Sequence, residues 1–115
     1  MRLLAYVITL SGLIAVPAWA LETGNDYLPA CRAALTPGTT PNDPRANLFR
    51  QGLCVGMVSI YMHEGGKAWC APEHSTPEQG LRVLVNYLEK NPQVTNNHIV
   101  VLMAAAFLEA WPCKK

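Results

Sequence analysis

The stretch from Thr76 to Pro92, TPEQGLRVLVNYLEKNP, contains the start, the buried face and the end of one helix. Thr76 and Gln79 have the spacing of a capping box, and Pro77 stands at the first helical position, where an N–H is not needed. Apolar side chains then recur at the spacing of one helical face, at Leu81, Leu84, Val85 and Leu88. A helix with a single apolar stripe must bury that stripe, which predicts a fold of packed helices.

Downstream, the sequence HIVVLMAAAFLEAW predicts a helix from about His98 to Trp111, with Asn96 or Asn97 as its cap and Pro112 after its end. This segment has only two polar residues. A helix that is apolar on every side is buried on every side. We therefore expect it at the centre of the domain, or with one face against another chain.

The shortest helix is predicted from about Asn25 to Leu35, with Asn25 or Asp26 as its cap. Pro29 lies in or near the first turn, where proline is tolerated. The apolar face of this helix consists of Tyr27, Leu28, Cys31 and Leu35. The segment that follows, TPGTTPND over 36–43, has the composition of a turn-rich linker.

The longest helix is predicted to begin with Asp43 as its cap and Pro44 at the first position, and to run to about Glu64. Its broad apolar face consists of Leu48, Phe49, Gly52, Leu53, Gly56, Met57, Ile60 and Tyr61. Gly52 and Gly56 lie one turn apart, and a glycine inside a helix costs about 1 kcal/mol. We therefore expect a neighbouring helix to approach closely at both glycines. With four helices and no strand, the predicted fold class is all-α, a small disulfide-bonded four-helix bundle.

Residues 1–20, MRLLAYVITLSGLIAVPAWA, have the features of a secretory signal peptide. Arg2 supplies a positive start, an apolar stretch follows over 3–16, and Ala18-Trp19-Ala20 has the small-x-small pattern of a cleavage site. Cleavage there leaves one all-helical domain over residues 21–115. Of the nine basic residues only Arg2 is removed, so eight basic and eight acidic residues remain. This balance argues against a nucleic-acid partner, and no membrane span is expected after signal cleavage.

Four cysteines, Cys31, Cys54, Cys70 and Cys113, follow the signal peptide, and an even number in an exported chain predicts two disulfides. If the last two helices are antiparallel, Cys70 lies near Cys113, which leaves Cys31 to pair with Cys54. Four cysteines allow three pairings, and the sequence does not choose among them. A metal site with Cys70 and His74 is an alternative, but no second pair of ligands completes it.

No catalytic constellation is present in the sequence. His63, His74 and His98 fall at a helix end, in a loop and at a helix start, and a carboxylate is near only the first two, at Glu64 and Glu73. No serine nucleophile, second carboxylate or phosphate-binding glycine loop accompanies them. We therefore expect no catalytic residues, no metal and no cofactor.

Several short motifs occur in a specific order along the chain. These are Cys31 in the first helix, Cys54-Val55-Gly56 in the second, Trp69-Cys70-Ala71-Pro72-Glu73 before the third, Tyr87-Leu88-Glu89-Lys90-Asn91-Pro92 at its end, and Ala110-Trp111-Pro112-Cys113. In this order and spacing the chain resembles the Rap/Tai immunity proteins of bacterial type VI secretion systems. The resemblance covers nearly all of the chain after the signal peptide.

The resemblance implies a periplasmic all-α protein, often a homodimer, that binds a peptidoglycan-cleaving amidase effector and blocks its active-site cleft. Such an inhibitor needs a rigid scaffold and a presented surface rather than catalytic groups. The best candidate surface is the connection over 91–98 with the polar side of the third helix. Its residues are Arg82, Asn86, Glu89, Lys90, Asn91, Gln93, Thr95, Asn96, Asn97 and His98.

Other readings of the function remain open at this point. An ordinary solvated loop and helix face would have the same composition as the candidate surface. A periplasmic helical stress chaperone, or a binding module with no toxin partner, would also have a small disulfide-bonded fold without catalytic residues.

Overall fold

The computed structural model describes residues 22–64 and 68–114, and the predicted signal peptide lies outside them. These residues form four helices and contain no strand. They are α1 (Gly24–Ala34), α2 (Leu48–Glu64), α3 (Pro77–Lys90) and α4 (Ile99–Ala110), with short 3₁₀ turns at Pro44–Ala46 and Pro92–Val94. The predicted all-α class is confirmed.

The helices enclose one apolar core. α1 packs against α2 and α3, α3 packs against α2 and α4, and α4 also touches α1 and α2. The largest side chains that are fully buried are Phe107, Leu84, Leu88, Ile99, Met103 and Val58. The stripe predicted for α3 is therefore the buried one, and the predicted capping box of Thr76 and Gln79 is present at its start.

Both disulfides join the cysteines that an antiparallel arrangement of the last two helices would pair. Cys31 in α1 is bonded to Cys54 in α2, and both residues are fully buried. Cys70 before α3 is bonded to Cys113 after α4, and the Cys70 N–H donates to the Trp111 carbonyl at 2.8 Å. Because Cys70 is in a disulfide, the alternative metal pair of Cys70 and His74 is wrong.

The start of α1 differs from the prediction. Thr23 is the cap, and its N–H and hydroxyl both donate to Asp26 Oδ2 at 2.9 Å. Pro29 lies beyond the first turn, where it cannot donate to the Asn25 carbonyl. Arg45 Nη1 donates to that carbonyl instead, at 3.3 Å, so a residue outside the helix supplies the missing hydrogen bond.

α2 begins later than predicted, because the segment after Asp43 forms a separate turn. The Asp43 carboxylate accepts from the Arg45 N–H at 2.9 Å, which caps the 3₁₀ turn of Pro44–Ala46. Asn47 is then extended, with a ψ of 161°, and its side-chain oxygen accepts from the Arg50 N–H at the start of α2. Asp43 therefore caps the 3₁₀ turn and Asn47 caps α2, so the segment that the sequence predicted as one helix forms two elements.

One expectation about helix packing was wrong. Among the described residues, a Cβ atom added at Gly52 or at Gly56 meets no other atom within 4 Å, so none of the described helices approaches there. Of the two alternatives for α4, full burial at the centre of the domain does not apply, since Val101 and Leu108 are exposed. Its cap is His98, whose Nδ1 accepts from the Val100 N–H, rather than Asn96 or Asn97.

The close helix contact occurs at Gly80 instead. A Cβ there would lie 2.7 Å from Val58 Cγ1 and would also collide with Met62. We expect Gly80→Ala to lower the free energy of unfolding by about 1–3 kcal/mol, although alanine is the better helix former. Urea unfolding measures this, and Lys90→Ala, an exposed change in the same helix, is the control with an effect within about 0.5 kcal/mol. An equally stable Gly80→Ala protein would contradict the close contact.

The two disulfides should differ in access to reductant. Cys31 and Cys54 are buried, whereas Cys70 is exposed. Under native conditions we expect a mild reductant to open Cys70–Cys113 first, because thiolate attack requires access to the sulfur. Timed alkylation with peptide mass spectrometry measures the order, and the urea-unfolded protein, in which both bonds open together, is the control. Equal native labelling of all four cysteines would contradict the prediction.

Candidate functional site

The connection between α3 and α4 is held against the start of α1 by backbone hydrogen bonds. The Gly24 N–H donates to the Asn97 carbonyl at 3.1 Å, and the Asn25 N–H donates to the Thr95 carbonyl at 2.9 Å. At the first residue of α4, the Ile99 N–H donates to the carbonyl of Glu22 at 3.3 Å. The segment over 91–98 is therefore pinned along its second half by the first turn of α1 and the residues that lead into it.

Side chains within the connection fix its shape further. Asn91 Nδ2 donates to the Tyr87 carbonyl at 2.8 Å, and Asn97 Nδ2 donates to the Val94 carbonyl at 2.9 Å. Thr95, which the sequence placed on the candidate surface, is buried, and its hydroxyl donates to the Pro92 carbonyl at 3.0 Å. Thr95 therefore holds the loop together and does not present its side chain to solvent.

The remaining residues of the connection fall into two groups. Gln93, Asn96 and Asn97 are exposed at the end of the bundle. Asn91 and His98 are half-buried, and both serve as helix caps. The exposed tip thus consists of amide side chains, each able to donate and accept hydrogen bonds.

The polar side of α3 is exposed as expected. Arg82 pairs with Glu78 at 2.7 Å within the helix, and Glu89 accepts from Arg32 of α1 at 2.9 Å. Asn86 and Lys90 line a shallow hollow between α3 and α4. The candidate residues of α3 therefore adjoin the connection at their Lys90 end and continue away from it along the helix.

A half-buried cluster of polar side chains lies where the chain enters α1. Arg50 of α2 donates to Glu22 Oε1 at 3.0 Å and to the Asp26 carbonyl at 3.2 Å, and its guanidinium lies 5.7 Å from the centre of the Tyr27 ring. Hydrogen bonds from Thr23 lower the pKa of the Asp26 carboxyl. Burial, together with the Glu22 carboxylate, raises the pKa of Tyr27 to about 12.

Sequence reasoning did not identify one exposed surface, because it expected a neighbouring helix to cover the apolar face of α2. An apolar groove of about 450 Å³ runs between α2 and the start of α4, lined by Phe49, Leu53, Met57, Tyr61, Ile99 and Val100, with Glu22 and His98 also at its edge. Phe49 is 74% exposed and Ile60 is 61% exposed. The feature of the sequence that could have indicated this surface is the pair of interior glycines, Gly52 and Gly56, which none of the described helices covers.

The arrangement does not assemble a reactive centre within the part of the chain that the structure describes. No group of three His, Cys, Asp or Glu residues there could hold a metal ion, and all four cysteines are in disulfides. None of the described helices has the length and apolarity to cross a membrane. What the described part of the chain presents is a rigid polar tip, a charged helix face and an apolar groove on a small disulfide-linked helical domain.

Comparison with known families identifies the class more closely. The family model described as Rap1a immunity proteins matches residues 23–113. The chain belongs to this family, and membership implies a toxin-immunity role with a cognate toxin as partner. Comparison with curated proteins and with solved structures gives no significant match.

The raised pKa of Tyr27 predicts a loss of stability at high pH. The unfolded tyrosine ionises near its ordinary value of 10, whereas the folded one ionises at about 12. The free energy of unfolding should therefore fall as the pH rises from 10 to 12, by on the order of 2 kcal/mol from this residue. Urea unfolding across this range measures the fall, which Tyr27→Phe should reduce. Tyr87→Phe is the matched control, and an unchanged slope in Tyr27→Phe would contradict the assignment.

Proposed function

We propose that this chain is an exported immunity protein that binds a peptidoglycan-cleaving amidase delivered by a type VI secretion system. In this proposal residues 1–20 are a signal peptide, and residues 21–115 act as a folded domain in the periplasm. The protein inhibits by occupying the active-site cleft of the amidase and carries out no catalysis itself. Membership of the immunity family supports the role, and the resemblance of the motifs supports this class of toxin.

The observation that carries the proposal is the pinned amide tip. Gln93 and Asn96 project from a segment whose backbone is tied to Gly24 and Asn25, so little conformational freedom is lost on binding. A cleft that binds the peptide part of peptidoglycan offers amide partners, which such side chains match in both donor and acceptor roles. The neighbouring charges of Glu89 and Lys90 lie beside this tip at the rim of the contact.

The homodimer that the resemblance implies forms part of the same proposal. The polar tip and the apolar groove are built from different residues, and His98, which caps α4 at the edge of the groove, lies between them. A toxin on one surface and a second copy on the other are therefore compatible assignments. Both disulfides support the proposed oxidising compartment, since they persist where thiols are not kept reduced.

Removing the exposed amides tests the contact directly. We expect Gln93→Ala/Asn96→Ala to weaken binding of the amidase encoded beside this gene by tenfold or more, about 1.4 kcal/mol. Their side chains are exposed, so the melting temperature should stay unchanged. Titration calorimetry and release of peptidoglycan fragments measure binding and inhibition. Thr39→Ala/Thr40→Ala, in the exposed loop before α2, is the matched control.

Two results would contradict the proposal. The first is a wild-type protein that neither binds nor inhibits an adjacent secreted amidase, and the second is a doubly substituted protein that inhibits as well as wild type. A chaperone role makes a different prediction, because suppression of client aggregation would depend on the apolar groove and would be unaffected by the tip substitutions. The toxin assay and an aggregation assay on the same variants therefore separate the two functions.

A further inference from the structure

One carboxylate oxygen at the entrance to α1 is buried and has no hydrogen bond. Glu22 Oε1 accepts from Arg50 Nη2 at 3.0 Å, whereas no described residue donates a hydrogen bond to Glu22 Oε2. The Tyr27 hydroxyl interacts with this carboxylate, but it is neutral and leaves the charge uncompensated. Because a buried charged acceptor without a donor destabilises a fold, a further donor is expected close to Glu22.

The charges around this carboxylate also indicate that one cation is missing. Among the described residues, three carboxylates and two guanidinium groups lie at this entrance, those of Glu22, Asp26, Asp43, Arg45 and Arg50. Arg50 pairs with Glu22, and Arg45 pairs with Asp43 at 2.9 Å. Asp26 accepts from two neutral donors of the helix cap. The cluster therefore has one negative charge in excess, which an added cation would offset.

The predicted cleavage site lies one residue before Glu22. Hydrolysis of the Ala20–Leu21 peptide bond consumes one water, leaves a carboxylate on Ala20 and frees an amine on Leu21, which is protonated at neutral pH. Glu22 is anchored, because its carbonyl accepts from the Ile99 N–H at 3.3 Å. The new ammonium belongs to a residue whose Cα lies about 3.8 Å from that of Glu22, within reach of the glutamate side chain.

We propose that removal of the signal peptide supplies the missing cation, because the Leu21 ammonium then pairs with Glu22 Oε2. The uncleaved chain has a neutral amide N–H at the same position, which adds no charge. Cleavage thus completes the cluster that joins the segment before α1 to α2 through Arg50. The inference rests on the signal peptide of the proposed function and adds to it a step that couples export to the final structure.

The ion pair would also support the amide tip, because the segment before α1 holds the connection before α4. The Ile99 N–H donates to the Glu22 carbonyl, and the Gly24 N–H donates to the Asn97 carbonyl. An ion pair at Glu22 keeps both hydrogen bonds closed for a larger fraction of the time. The surface proposed to meet the toxin is therefore most rigid in the processed protein.

Three forms of the domain test the pairing. One begins at Leu21 with a free amine, one has that amine acetylated, and one begins at Ala20, so that the ammonium is displaced by one residue. At neutral pH we expect acetylation or extension to raise the equilibrium constant for unfolding in urea roughly three- to tenfold. Hydrogen exchange of the Ile99 amide should become faster in both altered forms.

Substitution of the carboxylate completes a double-mutant cycle. In Glu22→Gln, acetylation and extension should have no further effect on unfolding, because the charged partner is absent. Glu73→Gln, which changes an exposed glutamate outside the cluster, is the matched control and should keep the full difference between the free and the acetylated form.

The pKa of the new amine gives a second readout, which needs no substitution. Pairing favours the charged form, so the pKa of the Leu21 amine should lie above its ordinary value of about 8. The rate of reductive methylation should then reach half its maximum at a higher pH in the folded protein than in urea. The described charged and titratable groups around this position are Glu22, Asp26, Tyr27, Arg45, Arg50 and His98.

Three results would overturn the inference. The first is an exported protein whose amino terminus, determined by mass spectrometry, is not Leu21. The second is equal stability of the free and acetylated forms, and the third is an equal loss on acetylation in wild type and in Glu22→Gln. Inhibition of the amidase is measured on the same forms, so a result against the pairing in a protein that still inhibits leaves the toxin proposal in place.

Discussion

The pairing of the chain entering α1 with the connection before α4 is the constraint on which the surfaces of this protein depend. Gly24 makes the pairing close, since a Cβ there would lie 2.5 Å from Leu102 Cδ1 and 2.9 Å from the Thr95 carbonyl oxygen. Because the backbone of Thr95 and Asn97 is fixed in this way, the amides at the end of the bundle are fixed as well. The same pairing brings Glu22 to the groove, where Arg50 joins it to α2.

Much of the fold follows from local sequence signals. The capping box at Thr76, the apolar stripe of α3 and the two proline-bounded helix ends have short-range causes, and each was readable from a few neighbouring residues. The cap of α1 was misassigned because Asp26 and Asn25 are good caps in isolation, whereas the pairing with the connection selects Thr23. Where neighbouring residues have similar capping preferences, tertiary contacts decide which of them becomes the cap.

The faces of α2 show why the surface was harder to predict than the helices. An amphipathic pattern identifies an apolar face but not the molecule that covers it. Two interior glycines together cost about 2 kcal/mol of helix stability, which indicates a packed environment. The interior of this chain accepts Cys54, Val58 and Met62 instead, whereas Leu48, Phe49, Leu53 and Ile60 of the predicted face are exposed. Pattern alone could not distinguish a core from an interface, since both exclude water.

Because its polar and apolar surfaces are separate, one small domain can combine two kinds of contact. The amide tip depends on the backbone pairing near Gly24, whereas the apolar face depends on α2 and α4, which the buried Cys31–Cys54 bond and the Trp69–Phe107 contact hold from the other side. Substitutions on the exposed side of either surface therefore leave the support of the other intact. His98 lies between the two surfaces, because it caps α4 at the end of the connection and at the edge of the groove. Glu22 also lines the groove, and its carbonyl accepts from the Ile99 N–H, so the connection is linked to the groove both through the cap of α4 and through the segment that enters α1.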